Sequence, residues 1–263
     1  MDWSRIKTIF ILTFLVLDIY LTYEFLKFRD ENKFELSTET SIEDKLAADE
    51  IDYPDFPKDP IRDQYLSAKP KTFSKEELQS LSGQNTFVEG STIQVVLKEP
   101  VKLSKDFKPA DLNSLLKNDV LRGSDYKFWE KNDEEGTITY YQKYKEKYLY
   151  KNTNGSLVFL LNDQNEVFSY TQTYLEEIEE LTEKEEVLKP LKAIETLYQK
   201  GMLAPESEIT KVELGYYTLE QLSASQVLTP AWRVVVNDEE NFFVNAFEGQ
   251  IIQLSDGEKN KLE

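Results

Sequence analysis

The chain has 263 residues, with 31 Lys plus Arg against 49 Asp plus Glu, a formal charge of −18. Phosphate backbones and anionic headgroups repel such a surface, so neither nucleic-acid binding nor adhesion of the acidic part to a bilayer surface is expected. Cysteine and histidine are both absent, which excludes disulfides, thiolate and imidazole metal sites, cysteine nucleophiles and the Ser-His-Asp triad.

The first predicted element is the apolar run from Ile6 to Leu26. About 20 helical residues cross a bilayer core. The expected plan therefore begins with a cytoplasmic leader, 1–5, and a transmembrane helix, 6–28. Arg5 and Lys7 before the run favour a cytoplasmic amino terminus, although Lys27 and Arg29 weaken the asymmetry. Trp3, Tyr20 and Tyr23 suit the membrane interfaces. A cleaved signal peptide is the rival reading. The run ends Leu-Thr-Tyr-Glu-Phe-Leu-Lys-Phe, without a small-x-small cleavage site. An uncleaved single-pass anchor in the cell membrane is expected, with the acidic body outside.

Asp18 falls inside this run. A carboxylate in hydrocarbon costs roughly 2.5–3.5 kcal/mol on insertion scales and usually faces a partner. Ile11, Phe14, Asp18, Thr22 and Phe25 follow 3- and 4-residue steps, so they share one helix face. That face is the candidate contact with a partner helix. The alternative is an Asp18 near the outer interface, protonated or hydrated.

An extended acidic linker is expected over 29–71, because Pro54, Pro57, Pro60 and Pro70 forbid continuous helix, apart from a short helix near Ser41 to Ala48. Ser74-Lys-Glu-Glu77 is a capping box and predicts a short helix ending near Gly83. A strand over Thr92–Leu97 and a helical segment over Pro109–Leu121 follow. Four strands are predicted near 126–131, 137–144, 156–161 and 167–173, divided by Asn- and Gly-containing turns. A second capping box, Thr182-Glu-Lys-Glu185, predicts a helix through Leu188, Leu191, Ile194 and Leu197 to Gly201, with Pro190 kinking or dividing it. Strands are predicted near 208–217, 231–237, 241–246 and 250–254. The fold class is thus α+β: the amino-terminal transmembrane helix, then two small extracytoplasmic domains, 72–178 and 179–263, of antiparallel sheet with packed helices.

Candidate chemistry is sparse. Carboxylates are so frequent that any glycosidase-like pair can be chosen. The run Glu176–Glu186 does not have EF-hand spacing and reads as the solvated start of a helix. There is no Walker or dinucleotide motif. The tyrosine-rich run Tyr140–Tyr150 either grips a polymer by stacking or lines a sheet face. No catalytic residue, cofactor or metal is expected, and the chain is read as a non-enzyme.

Met1-Asp-Trp-Ser-Arg-Ile-Lys-Thr-Ile-Phe-Ile11, running into an anchor, resembles the opening of the YycI family. Lys192-Ala-Ile-Glu-Thr-Leu-Tyr198, Val212-Glu-Leu-Gly-Tyr-Tyr217 and Pro230-Ala-Trp-Arg-Val234 resemble that family's last domain. Pro230-Ala-Trp-Arg with Phe243-Val-Asn-Ala-Phe-Glu-Gly249 is also similar to PepSY-type binding or inhibitory modules. The resemblance implies an auxiliary regulator of the WalK–WalR two-component system. The implied partners are a WalK-type sensor histidine kinase and a YycH-like protein. Trp232 and Arg233 are a possible domain or ligand contact, with a buried strand anchor as the alternative for Trp232. The expected function is modulation of the kinase and, through it, of cell-wall metabolism. The alternative is a membrane-anchored module that binds a wall polymer or another ligand.

Overall fold

The computed structural model describes residues 3–34, 41–57, 59–81, 84–218 and 225–252. They belong to two compact units, Met1–Glu50 and Ile51–Glu263.

The first unit holds helix α1 (Trp3–Phe34) and helix α2 (Ile42–Ala48). Ser41 caps α2, its hydroxyl accepting the Asp44 N–H at 3.1 Å, as the predicted short helix requires. Helix α1 is 32 residues long. Among the described residues, no helix is long and apolar enough to cross a membrane. The span expected over 6–28 is therefore not shown by the structure. Asp18 and Glu24 interrupt the apolar run, and the side chains of Ile6, Thr8, Ile9 and Phe25–Phe34 lie outside the described residues.

The second unit is sheet-dominated. Its strands are β1 (Arg62–Asp63), β2 (Leu66–Pro70), β3 (Asn85–Glu89), β4 (Thr92–Lys102), β5 (Tyr126–Asn132), β6 (Thr137–Tyr144), β7 (Lys147–Tyr150) and β8 (Ser156–Leu161). They continue with β9 (Glu166–Gln172), β10 (Leu175–Glu180), β11 (Glu185–Glu186), β12 (Ile209–Tyr217), β13 (Gln226–Val236), β14 (Glu240–Asn245) and β15 (Ile251–Ile252). The helices are α3 (Lys75–Gln79), α4 (Asn113–Asn118) and α5 (Pro190–Gln199). One strand path runs β10-β2-β13-β12-β7-β6-β8-β9-β4-β3, with β5 beside β6, β14 beside β13, and β15 beside β14. The named strands pair antiparallel except β12 with β7.

The meander β3-β4-β9-β8-β6-β5 buries alternate residues on one face, where Ile93, Val95, Ile138, Leu157, Phe159 and Tyr170 meet Leu112, Leu115 and Leu116 around α4. Phe159 stands edge-on to Tyr140 and Tyr170 at 5.7 and 5.8 Å. The predicted turns close as Asx turns. Asn132 Oδ1 accepts from the Glu134 and Glu135 amides, and Asn162 Oδ1 from Gln164 and Glu166. The Ser74–Glu77 box is formed on α3, while its expected stop at Gly83 lies outside the described residues.

Three local expectations are corrected, and the sheet reading of the tyrosine-rich run is refined. Residues 62–70, expected within the spacer, form β1 and β2, with Leu66 and Ala68 fully buried. The helix expected from Thr182 begins at Pro190, its first residue. Proline is favoured there because its missing N–H needs no partner, and it pushes the preceding residue out of helical space. The run Glu176–Glu186 forms strand at both ends, to Glu180 in β10 and over Glu185–Glu186 in β11, rather than the start of a helix. Here β10 pairs with β2, placing Glu176 opposite Lys69, and β11 pairs with β1. The Tyr140–Tyr150 run is two strands, β6 and β7, folded over Lys145-Glu146.

Candidate functional site

Ile11, Phe14, Asp18 and Thr22 lie in register on α1, and all four are exposed. The Phe25 side chain is outside the described residues. The other sides of the helix are apolar and exposed too, through Leu12, Leu15, Val16, Leu17, Ile19 and Leu21. A helix apolar all round has no single face directed at a core.

Trp232 and Arg233 are neighbours on β13, so they point to opposite faces of the sheet. Trp232 is 3% exposed. Its indole N–H donates to the Leu188 carbonyl at 2.9 Å, tying β13 to the segment ahead of α5. Arg233 meets three partners. Its Nε donates to Asn241 Oδ1 at 2.6 Å, Nη1 donates to Glu213 Oε2 at 3.3 Å, and the guanidinium lies 4.0 Å from the Trp129 ring centroid. Trp129 sits on β5, at the far side of the meander, and meets Tyr141, Tyr148 and Tyr150 edge-on at 5.4, 5.6 and 6.1 Å. Arg233 therefore clasps the carboxyl-terminal strands to the meander. Glu213 and Asn241 reach Arg233 from the two strands that flank β13, Glu213 lying directly opposite it on β12. Nothing in the local sequence marks Trp129 as a partner, because it belongs to the meander, which meets these strands at the β7–β12 parallel join.

This arrangement decides how the tyrosine run is used. Tyr140, Tyr148 and Tyr150 are buried, and Lys127 lies 4.3 Å over the Tyr148 ring. Burial pushes the Tyr140 hydroxyl up to about 12. It does the same for Tyr148, pushed up to about 12 with help from Glu213 and opposition from Arg233. These hydroxyls stay protonated at neutral pH and serve as donors, Tyr148 to the Phe128 carbonyl at 2.5 Å and Tyr150 to the Glu213 carbonyl at 3.0 Å. They are core groups, not an open stacking platform.

A second cluster forms around Asp63, in the stretch expected to be spacer. Its carboxylate accepts Lys147 Nζ at 2.6 Å and the Tyr216 hydroxyl at 2.5 Å, and it is almost fully buried. Burial and the Asp63 bond raise the Tyr216 hydroxyl well above its usual range, keeping it a donor. The cluster links β1 to β7 and β12. Lys71 bridges Glu176 at 2.8 Å and Glu77 at 3.2 Å. Among the described residues, no group of three or more Asp or Glu side chains is placed to hold a metal.

Fold and site together define a sheet-based α+β body whose charged clusters act as internal ties between strands. The chain belongs to the YycI protein family, which matches residues 30–247. That family is a regulatory one, associated with the WalK–WalR two-component system. No curated protein matches the chain. Among solved structures, it is similar to an uncharacterized protein from Eubacterium rectale at 10% identity and a TM-score of 0.43, covering 74% of this chain and 86% of that one. It is similar also to the Bacillus megaterium YpeB C-terminal domain at 11% identity and a TM-score of 0.43, covering 69% of this chain and 94% of that one.

Proposed function

We propose that this chain is a membrane-anchored regulatory subunit of a WalK-type sensor histidine kinase. It acts with a YycH-like partner to tune cell-wall metabolism, and its sheet-based body stands outside the membrane. The family match over residues 30–247 carries the regulatory role. The exposed apolar sides of α1 support the anchor, since a helix apolar all round is stable only where lipid or a partner covers it. A regulator shifts a two-state kinase only by binding one state better than the other. The face of Ile11, Phe14, Asp18, Thr22 and Phe25 is one route for that preference. A polar contact there is worth about 0.6–2 kcal/mol, enough to bias a partner without holding it alone.

The test is Asp18→Leu with Thr22→Val, read by a reporter of the wall-metabolism response at equal protein level. The control is Leu12→Ala with Ile19→Ala on a different side of the helix. The first pair is expected to weaken regulation and the control to leave it unchanged. If both behave as wild type while a chain lacking the body fails, coupling runs through the body and the helix-face route is wrong. The buried tyrosines give a wall-polymer module no support.

A further inference from the structure

Helix α4 separates two cavities of different character. On one side, Lys98 shares its cavity with Glu99 and Asp119. On the other, a cavity of about 620 Å³ is lined by Lys117 and Arg122, and no carboxylate of the described residues lines it. Cavities of about 300–1,000 Å³ hold small organic ligands. The floor is apolar, made by Leu116, Val120 and the Tyr126 ring, all buried. Asn113 and Lys117 stand one turn apart on α4, on the face that carries Leu116, so an amide and an ammonium lie beside that floor.

The position of Arg122 is fixed by its surroundings. Its φ of 52° lies in the left-handed region, which an arginine rarely adopts. Gly123 lets this turn press against α4, where a Cβ on it would stand 1.9 Å from the Leu116 carbonyl oxygen. The Arg122 guanidinium lies 5.1 Å from the Tyr174 ring centroid, and the Tyr174 hydroxyl donates to Asp125 Oδ2 at 2.8 Å. Ser124 donates its hydroxyl to the same carboxylate at 3.3 Å. Glu77, the other acid that acts on Arg122, is bridged by Lys71. The neighbouring carboxylates are thus engaged. Neither Lys117 nor Arg122 forms an ion pair among the described residues. A guanidinium already held in place loses little freedom on binding.

We propose that this cavity binds a soluble phosphate ester with a small apolar stem. The phosphate oxygens accept from the Arg122 fork, Lys117 Nζ and the Asn113 amide, and the stem lies on Leu116, Val120 and Tyr126. A phosphate presents more acceptor oxygens than a carboxylate, which suits three donor groups. A lipid headgroup is disfavoured, because an anionic bilayer repels the whole −18 chain. A small ester meets chiefly the two local cations, since charges beyond about 8 Å are screened at physiological ionic strength. The site goes beyond the regulatory reading and is tested without the kinase.

The test is calorimetric titration of the full-length chain, in neutral maltoside micelles, with phenyl phosphate. Saturable binding that weakens as salt is raised is expected. Inorganic phosphate lacks the stem and phenol lacks the charge, so each is expected to bind at least ~10-fold more weakly. Lys117→Gln removes an exposed charge, and is expected to keep the unfolding midpoint while weakening binding at least ~10-fold. Arg122→Gln is expected to weaken it further. Lys98→Gln, the same change of charge across α4, is expected to leave binding unchanged. Absence of binding, equal binding of inorganic phosphate, or a Lys117→Gln chain that binds no worse than Lys98→Gln overturns the proposal. A short-chain phosphatidylglycerol that binds tighter than phenyl phosphate overturns the soluble source in favour of a lipid headgroup.

Discussion

Gly215 lies on β12 opposite Ala231, in the stretch Val212-Glu-Leu-Gly-Tyr-Tyr217. A Cβ there would stand 2.4 Å from Tyr150 Cε2, 2.5 Å from Cζ and 2.8 Å from the Tyr148 carbonyl oxygen. The Tyr150 ring has little room to retreat. It is 1% exposed, 5.2 Å from Phe243 and 6.1 Å from Trp129, and its hydroxyl is bonded to the Glu213 carbonyl. Gly215→Ala therefore overpacks the core, at about 1–3 kcal/mol. Displacing the ring loses that hydrogen bond, about 0.5–1.5 kcal/mol more. The lower chain entropy of unfolded alanine offsets about 0.4–1 kcal/mol. The expected net loss is about 2–3 kcal/mol, read as a lower urea midpoint with unchanged slope. Tyr150→Leu, itself destabilising, is expected to suppress most of the effect of Gly215→Ala, whereas Tyr150→Phe is not, because the ring remains. A loss below about 0.5 kcal/mol, or additivity with Tyr150→Leu, refutes the close-packing argument.

Two further outcomes follow from the ties between strands. Arg233→Lys keeps the charge but loses the planar fork that serves Asn241, Glu213 and Trp129 together, so a loss of about 1–2 kcal/mol and a red-shifted tryptophan emission are expected. Stability equal to wild type would show the clasp to be only a charge contact. The Glu77 carboxyl is held below its usual range by the Ser74 backbone N–H and then by Lys71, against the opposing effect of burial. Its contribution is complete above the unfolded value, about 4.3, and fades as pH falls through the lower folded value. Wild type should exceed Glu77→Gln in urea midpoint between pH 5 and 8 and converge with it in acid. An equal gap at both ends contradicts the assignment.

The strands of the meander were legible because alternation and Asn-rich turns coincide there, as at Asn132 and Asn162. β7 was not. A two-residue hairpin of this hand needs positive φ at both central positions, usually Asn-Gly. Here Lys145 and Glu146 take φ of 49° and 67° without that signal, so the eleven residues Tyr140–Tyr150 read as one tyrosine-rich run. β2 and β10 were hidden for a related reason. Glutamate and lysine are poor strand formers in isolation, and only their pairing, Lys69 with Glu177 at 2.5 Å and Lys71 with Glu176, reveals a strand pair. Trp232 was legible as an anchor from its type and strand context. The partners of Arg233 were not, since Trp129 is over a hundred positions away in the chain.

The placement of β2 has a mechanical consequence. The chain enters the second unit through Asp52, bridged to Glu208, then β1 on β11, and then β2, flanked by β10 on one side and β13 on the other. Interstrand hydrogen bonds lie across the strand direction. A tug on the amino-terminal end of this unit therefore loads the bonds of Leu66 to Pro70 together, in shear, instead of opening them one at a time from an edge. Tension from that side passes Asp52 and β1 and is then taken up by β2, which hands it directly to β13, the strand that carries Trp232 and Arg233.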